Sequence, residues 1–280
     1  FSNTSGVQNS AFGFQALKLN TTGINNTAMG FLSQEMNTGS ANTSYGSEAL
    51  RYNTAGDANT AIGRSAMFFN TIGDYNVSIG DESMVANTSG TGNVAVGHSA
   101  LLSNTTGTHN IAVGRGALNN NTTVDKLVAV GYYSLGSNTS GMFNTAIGYL
   151  ALHDNTIAHF NTAVGSEALA NNTIGQRNVA VGDSALFYNI NGDGNTSIGS
   201  QSLVKNTTGN GNTAIGSQAM GDNTTGGGNT CLGAIVLQRN TTGTYNLSVG
   251  HSNMVFNTTG SFNVALGPST LHDNIVGSEN

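Results

Sequence analysis

Residues 206–222 read N-T-T-G-N-G-N-T-A-I-G-S-Q-A-M-G-D, and residues 223–239 repeat the pattern as N-T-T-G-G-G-N-T-C-L-G-A-I-V-L-Q-R. The first Asn returns every 17 residues along the 280-residue chain, except for one 16-residue step near Thr38. We number the positions of the repeat as columns 1 to 17, so that Asn206 lies in column 1 and Asp222 in column 17. A short fixed period over a whole chain is typical of solenoids and fibres.

Two glycine columns divide each repeat into segments that are too short for stable helices. Column 11 is Gly in every full repeat, and column 4 is Gly except at Val124 and Ala158. Columns 8 and 10 are mostly Thr, Val and Ile, which favour strands. The sequence therefore predicts an all-β fold, a β-solenoid (β-roll or β-helix) of about 16 coils, with parallel strands stacked about 4.8 Å apart. Each coil is expected to contain three short strand segments and three corners.

Glycine at a fixed place in a repeat indicates a positive φ or a close backbone approach. The predicted turn glycines of column 11 are represented by Gly13, Gly63, Gly97, Gly148, Gly182, Gly216 and Gly267. The solenoid is expected to run continuously through residues 1–280. No capping element is recognisable at either end, and solenoids need capped ends, so the chain is interpreted as a segment of a longer repetitive fibre.

The charged residues separate the columns into two classes. All 14 acidic, 8 basic and 6 His residues fall in columns 5, 6, 12, 13, 16 and 17, which we interpret as solvated corners. The remaining columns are predicted to be buried or to form ladders between coils. The large apolar side chains of columns 10 and 15 are expected to form the core. Examples in column 10 are Phe12, Met29, Ile62, Ile79, Val96, Ile147, Val181 and Leu232, and in column 15 Leu17, Leu50, Leu101, Leu118, Leu152, Leu186 and Leu237.

Column 1 is Asn in every repeat, and many of these asparagines begin an N-x-S/T sequon. Asn persists where the sequon fails, as at Asn53, Asn70 and Asn172, so a structural Asn ladder is favoured over glycosylation. The predicted ladder is represented by Asn20, Asn53, Asn70, Asn104, Asn138, Asn172, Asn206 and Asn240. N-glycosylation stays an alternative, with Asn25, Asn120 and Asn171 at corners and Asn104, Asn206 and Asn240 in column 1 as candidate acceptors.

Residues 144–148 and 212–216 read N-T-A-I-G, and residues 93–97 read N-V-A-V-G. Together with the 17-residue spacing, they resemble repeats of bacterial and viral tail-fibre-like surface proteins over the whole chain. More loosely, the strand and its Gly are similar to the head β-roll repeats of trimeric autotransporter adhesins. The resemblance implies an extracellular fibre, structural or adhesive, at a cell or virion surface. It also implies assembly with copies of the same chain, as a homo-oligomer such as a trimer or as a filament.

Four further features of the sequence were considered as possible binding or reactive sites. Corner aromatics, among them Tyr75, Phe143, Phe160, Tyr245 and Phe262 in column 6, are candidate contacts for a partner chain or a glycan. The Thr row of column 2 suggests ice binding as a less favoured reading. Asp57 and Asp74 stack in column 5, where a solvated corner is favoured over a calcium site. Cys231 replaces a small residue of column 9 and is expected to be buried.

We therefore expect a structural component of an extracellular fibre, a stiff polar rod that spaces, sheathes or attaches. The alternative is an adhesin or receptor-binding fibre that recognises glycans through its corner residues. Neither catalytic residues nor a metal site nor a cofactor is predicted. The net charge of −6 argues against nucleic acid as a partner, and no apolar run approaches the length of a transmembrane helix.

Overall fold

The 17-residue period produces one three-residue β-strand per coil in the computed structural model, which describes residues 2–280. Every strand covers columns 8 to 10, and no helix occurs in the described part of the chain. The predicted all-β, parallel β-solenoid is thereby confirmed. The strands are β1 Ser10–Phe12, β2 Thr27–Met29, β3 Thr43–Tyr45, β4 Thr60–Ile62, β5 Val77–Ile79, β6 Val94–Val96, β7 Ile111–Val113, β8 Val128–Val130, β9 Thr145–Ile147, β10 Thr162–Val164, β11 Val179–Val181, β12 Thr196–Ile198, β13 Thr213–Ile215, β14 Thr230–Leu232, β15 Leu247–Val249 and β16 Val264–Leu266.

The chain divides into two compact units, Phe1–Met142 with β1 to β8 and Phe143–Asn280 with β9 to β16. Within each unit, successive strands pair in parallel and equivalent columns lie side by side. Thr60 of β4, for example, is opposite Val77 of β5. The register survives the 16-residue step, because Thr27 of β2 still pairs with Thr43 of β3. The missing residue near Thr38 is therefore absorbed in the turn and not in the sheet.

The prediction of three strand segments per coil is wrong, because two sides of each coil are built from bends and turns. All non-glycine residues with positive φ lie in columns 6, 13 and 15, as at Tyr75 (φ 56°), Glu82 (φ 55°) and Met84 (φ 50°). A left-handed residue interrupts an extended segment, since strands require negative φ. These sides still bond between coils: the Leu203 amide donates to the Ala219 carbonyl at 2.9 Å.

The core is made of small side chains from columns 9 and 14 and of Leu or Met from column 15. In one coil these are Ala214, Ala219 and Met220, each with no exposed surface. The strand alternates between inside and outside, so the buried Ala214 places Thr213 and Ile215 outside. The burial pattern is the same in almost every strand, with only the middle residue buried.

The predicted burial of column 10 is therefore wrong, whereas column 15 is buried as expected, apart from the partly exposed Leu271. Column 9 faces the interior, where Ala, Ser or Cys packs beside column 15, and the alternation of the strand then places column 10 on the outside. Exposed members of column 10 include Phe12, Met29, Ile62, Ile79, Ile147 and Leu232, and Val96 and Val181 are partly exposed.

Candidate functional site

The asparagines of column 1 form a side-chain ladder in each unit, which in the first unit is interrupted at Asn20, whose Oδ1 has no hydrogen-bond partner. The Asn70 Nδ2 donates to Oδ1 of Asn53 at 2.7 Å and to the carbonyl of Gly73 at 3.0 Å. The same pair of bonds recurs at Asn206, which donates to Asn189 Oδ1 and to the Gly209 carbonyl. All eight asparagines that represent the predicted ladder are at most 2% exposed. Buried amide groups require such partners, and here neighbouring coils supply most of them.

Column 7 forms a second Asn ladder with a different bonding pattern. The Asn212 Oδ1 accepts the backbone N–H of Asn229 at 3.0 Å, and its Nδ2 donates to the Gly226 carbonyl at 2.8 Å and to Asn195 Oδ1 at 3.1 Å. Leu127 is the one exception in this column. Its side chain cannot form the amide bonds, but its backbone N–H still donates to Asn110 Oδ1 at 2.9 Å. The side chain of Asn in column 7 therefore joins three successive coils.

Burial in the ladder removes three glycosylation candidates. Asn104, Asn206 and Asn240 have no exposed surface, and each Nδ2 donates two hydrogen bonds. A glycan attached to Nδ2 would replace one donor hydrogen and would have to occupy the packed interior. The structure contradicts these three sites in the folded chain. Asn25 and Asn120 are exposed and Asn171 is half-buried, so glycosylation there stays a prediction.

The two glycine columns are required for different reasons. The predicted turn glycines of column 11 have φ between 102° and 140°, and a Cβ at Gly216 would lie 2.2 Å from the carbonyl oxygen of Gly233. Column 4 lacks the positive φ but approaches the ladder closely. A Cβ at Gly209 would lie 2.4 Å from both Asn206 Oδ1 and the Gly226 carbonyl oxygen. Both columns are places of close approach between adjacent coils.

The polar side chains outside the core also bond from coil to coil. The hydroxyl of Thr54, in column 2, donates to the Thr71 carbonyl at 3.0 Å, so the Thr row is bonded from coil to coil, and ice binding through it stays a prediction. Asp74 accepts the Asp57 backbone N–H at 2.7 Å, which gives the stacked aspartates a structural partner. Among residues 2–280, no group of three or more His, Cys, Asp or Glu is arranged to hold a metal ion.

Several charged corner residues pair with corner residues of the next coil. Arg64 lies 2.9 Å from Asp81 and 2.8 Å from Glu82, and Lys205 Nζ lies 2.8 Å from Asp222. The hydrogen bond to Asp222 and the charge of that carboxylate raise the pKa of Lys205. These pairs are more than a third exposed, so each contributes little to stability.

The five aromatic residues predicted as interface candidates are all more than half exposed. Phe143 stacks on Phe160 with ring centroids 5.1 Å apart, and Tyr245 stacks on Phe262 at 5.2 Å. Tyr75 is 68% exposed, and the same column of the next coil is Gly92. The structure therefore places four of the five in two stacked pairs at the corner that precedes the strand.

A shallow groove in the second unit is lined by residues of four successive repeats, a feature that the sequence did not reveal. It is lined by column 17 and column 2 residues, namely Asn171, Thr173, Tyr188, Ile190, Lys205 and Thr207. Tyr188 and Ile190 are about half exposed, at 50% and 48%. An aromatic ring face beside hydroxyl, amide and ammonium groups is chemically suited to a polar ring such as a sugar. These residues lie together because residues of the same column are neighbours on successive coils, and columns 17 and 2 run side by side.

The outer sheet face is the second feature that sequence reasoning missed. We define it as the side chains of columns 8 and 10, which project outward from every strand. Its members are uncharged, and most are Thr, Val, Ile or Leu. The alternation around the buried column 9 residue was the signal that could have found it.

Cys231 is a buried thiol in column 9 of β14 and makes the first testable case. It has no exposed surface, and burial raises the pKa of its thiol well above its ordinary value. Because the thiolate is the reactive form, we expect no measurable reaction of the native chain with an aromatic disulfide reagent, and full reaction after denaturation. The control is Ser217→Cys, at an exposed corner, which should react at once in the native state. Equal native reactivity of both thiols would contradict the buried placement.

No helix in residues 2–280 is long and apolar enough to cross a membrane. Comparison of the chain with family models, with curated proteins and with solved structures found no match.

Proposed function

We propose that this chain is a structural segment of an extracellular fibre, a stiff β-solenoid that spaces, sheathes or attaches. The observation that carries the proposal is the pair of buried Asn ladders, which give nearly every coil the same hydrogen bonds to its neighbours. Neighbouring coils are then held together by the same set of bonds along each unit, as in other repeat proteins whose stability lies in nearest-neighbour interfaces. The likeness of the repeats to tail-fibre-like surface proteins supports the extracellular location.

The location is tested with antibodies against an exposed corner peptide in cells that produce the chain. We expect immunogold particles along filaments outside the cell or on virions, and loss of label when surface proteins are removed by protease on intact cells. The control is a cytoplasmic protein, whose antibody label should be unchanged by the same protease treatment. Label confined to the cell interior would refute the fibre proposal.

Glycan recognition is the second candidate function, and the groove around Tyr188 favours it. Removing the ring by Tyr188→Ala should weaken binding to a responding glycan about five- to thirtyfold, since a stacked aromatic contributes on the order of 1–2 kcal/mol. Tyr45→Ala is the matched control, because Tyr45 is 58% exposed and lies outside the groove. Binding is measured on a glycan array and then by calorimetry. Absence of any responding glycan, or equal losses in both variants, would reject this candidate.

A further inference from the structure

The outer sheet face is most regular over strands β9 to β14 of the second unit, a part that we call the β9–β14 patch. Column 10 supplies Ile, Val and one Leu to this patch, and column 8 supplies five Thr and one Val. Eleven of the twelve side chains are β-branched, and none is charged. The column 8 members are Thr145, Thr162, Val179, Thr196, Thr213 and Thr230.

The threonine hydroxyls of the patch have no protein partner, in contrast to those of column 2. In column 2 the hydroxyl of Thr207 donates to the Thr224 carbonyl at 3.0 Å, and the hydroxyl of Thr224 donates to the Thr241 carbonyl at 3.0 Å. Among residues 2–280, no group bonds to the hydroxyl of Thr213 or Thr230, or to those of the other column 8 threonines in the patch. Each of these hydroxyls can therefore donate to one water molecule and accept from others.

The register places the side chains of the patch in two straight rows. Thr213 lies between Thr196 and Thr230, and Ile198 is paired with Ile215. Steps along a row are about 4.8 Å, and the two rows are about 7 Å apart, two residues along the strand. The column 7 Asn ladder runs beside these strands, and side-chain ladders favour a flat sheet. Because β-branched side chains have restricted χ1 angles, the hydroxyl and methyl groups are held at fixed spacings.

We propose that the β9–β14 patch binds ice. Its two spacings are close to the repeat distances of water on the prism faces of hexagonal ice, so successive hydroxyls can bond to equivalent water molecules of one lattice plane. The methyl groups beside them restrict the orientations of the first water layer, which favours an ordered layer that can join the crystal. The uncharged patch matches an uncharged lattice, since an ammonium or carboxylate group would hold its own hydration shell.

The same observations disfavour a protein or a sugar as the occupant. Six strands, about 4.8 Å apart with a width of about 10 Å, cover on the order of 300 Å². That is well below the about 800 Å² that each partner contributes to a standard protein interface, and five hydroxyls would need partners there. Sugar platforms are aromatic, and the patch contains no aromatic ring. The inference goes beyond the proposed fibre role, because a fibre segment needs no contact with ice.

Thermal hysteresis, the gap between the melting and freezing temperatures of an ice crystal in protein solution, tests the proposal. The variant Thr213→Lys/Thr230→Lys places two ammonium groups on the patch. The control Thr208→Lys/Thr225→Lys makes the same change on the same two coils at column 3, where both threonines are exposed and lie off the patch. We expect thermal hysteresis and inhibition of ice recrystallisation from the purified wild type and the control. The patch variant should lose both activities, because strongly hydrated ammonium groups would separate the patch from the ice.

A milder pair, Thr213→Ala/Thr230→Ala, separates lost ice binding from lost folding. It removes two hydroxyls without protein partners, so it should retain the wild-type circular dichroism and melting temperature. Its thermal hysteresis should fall well below that of the matched pair Thr208→Ala/Thr225→Ala. Wild-type protein without thermal hysteresis would overturn the proposal, and so would equal losses in the patch and control variants. A loss confined to the column 3 variants would place the ice contact elsewhere and would also overturn it.

Discussion

Replacing Asn212 with aspartate should destabilise the chain by about 3–5 kcal/mol at neutral pH, the range expected for an unpaired buried charge. The Nδ2 of Asn212 donates to the Gly226 carbonyl at 2.8 Å and to Asn195 Oδ1 at 3.1 Å. In Asn212→Asp a carboxylate oxygen would face these two acceptors, with no hydrogen to donate and no exposed surface. The accepting half of the pattern, from the backbone N–H of Asn229, would remain.

The loss should depend on pH in a defined direction. Burial and facing acceptors favour the neutral form of the introduced carboxyl, so its folded-state pKa rises above the unfolded value of about 3.9. The unfolded state then releases its proton first, and the free energy of unfolding falls as pH rises from about 4 towards the folded-state pKa. Below that window the protonated carboxyl can donate to one acceptor, and part of the stability returns.

The matched control is Asn210→Asp, two residues earlier in the same coil. Asn210 is an exposed corner residue whose Oδ1 accepts the Asp193 backbone N–H at 2.6 Å, and Asp57 and Asp193 fill the same role at this column. A carboxylate there should change stability by less than about 0.5 kcal/mol. Urea unfolding midpoints between about pH 4 and 8 measure both variants. Equal behaviour of the two would contradict the buried ladder.

Replacing Gly216 with alanine should cost about 3–5 kcal/mol, since strain at a special φ adds to a backbone clash. The φ of Gly216 is +136°, and an added Cβ would lie 2.2 Å from the oxygen and 2.5 Å from the carbon of the Gly233 carbonyl. Neither contact can be relieved by rotating a side chain. Relief would require the two coils to separate, which would also lengthen the hydrogen bonds of β13 with β14.

Gly211 provides the control within the same coil. Its φ is +66°, an added Cβ meets no atom within 4 Å, and column 6 carries Tyr75 and Phe262 at similar φ in other coils. Gly211→Ala should therefore cost only about 1 kcal/mol, the usual penalty of a left-handed residue. Thermal melting and amide hydrogen exchange compare the two variants. If Gly211→Ala were as damaging as Gly216→Ala, the close approach between coils would not be the cause.

Part of the candidate surface could be predicted from the columns. In a strict repeat, all residues of one column have the same structural surroundings, so the residue types in a column indicate whether it is buried or exposed. The restriction of charges to six columns indicated the corners, and Asn without a sequon, as at Asn70, indicated a ladder. The groove at Tyr188 and Ile190 could not be predicted in the same way. Its lining comes from neighbouring coils, in rows that vary from coil to coil, and only their stacking brings an aromatic ring beside Lys205 and Thr207.

The sequence by itself determined the solenoid class, the parallel pairing and the register, because a fixed 17-residue period admits one in-register stacking of equivalent columns. Only the tertiary structure decided which face of the strand is inside. The segment Thr213–Ile215 offers a strand-forming residue on both sides of a small one, so hydrophobicity alone favoured burying Ile215. Ala214 packs inside the coil with Met220, and the Asn212 side chain bonds inward from the same side of the strand, so the alternation of the strand leaves Ile215 outside. Packing and hydrogen bonding between coils therefore turned the larger residues outward, and that choice creates the outer sheet face.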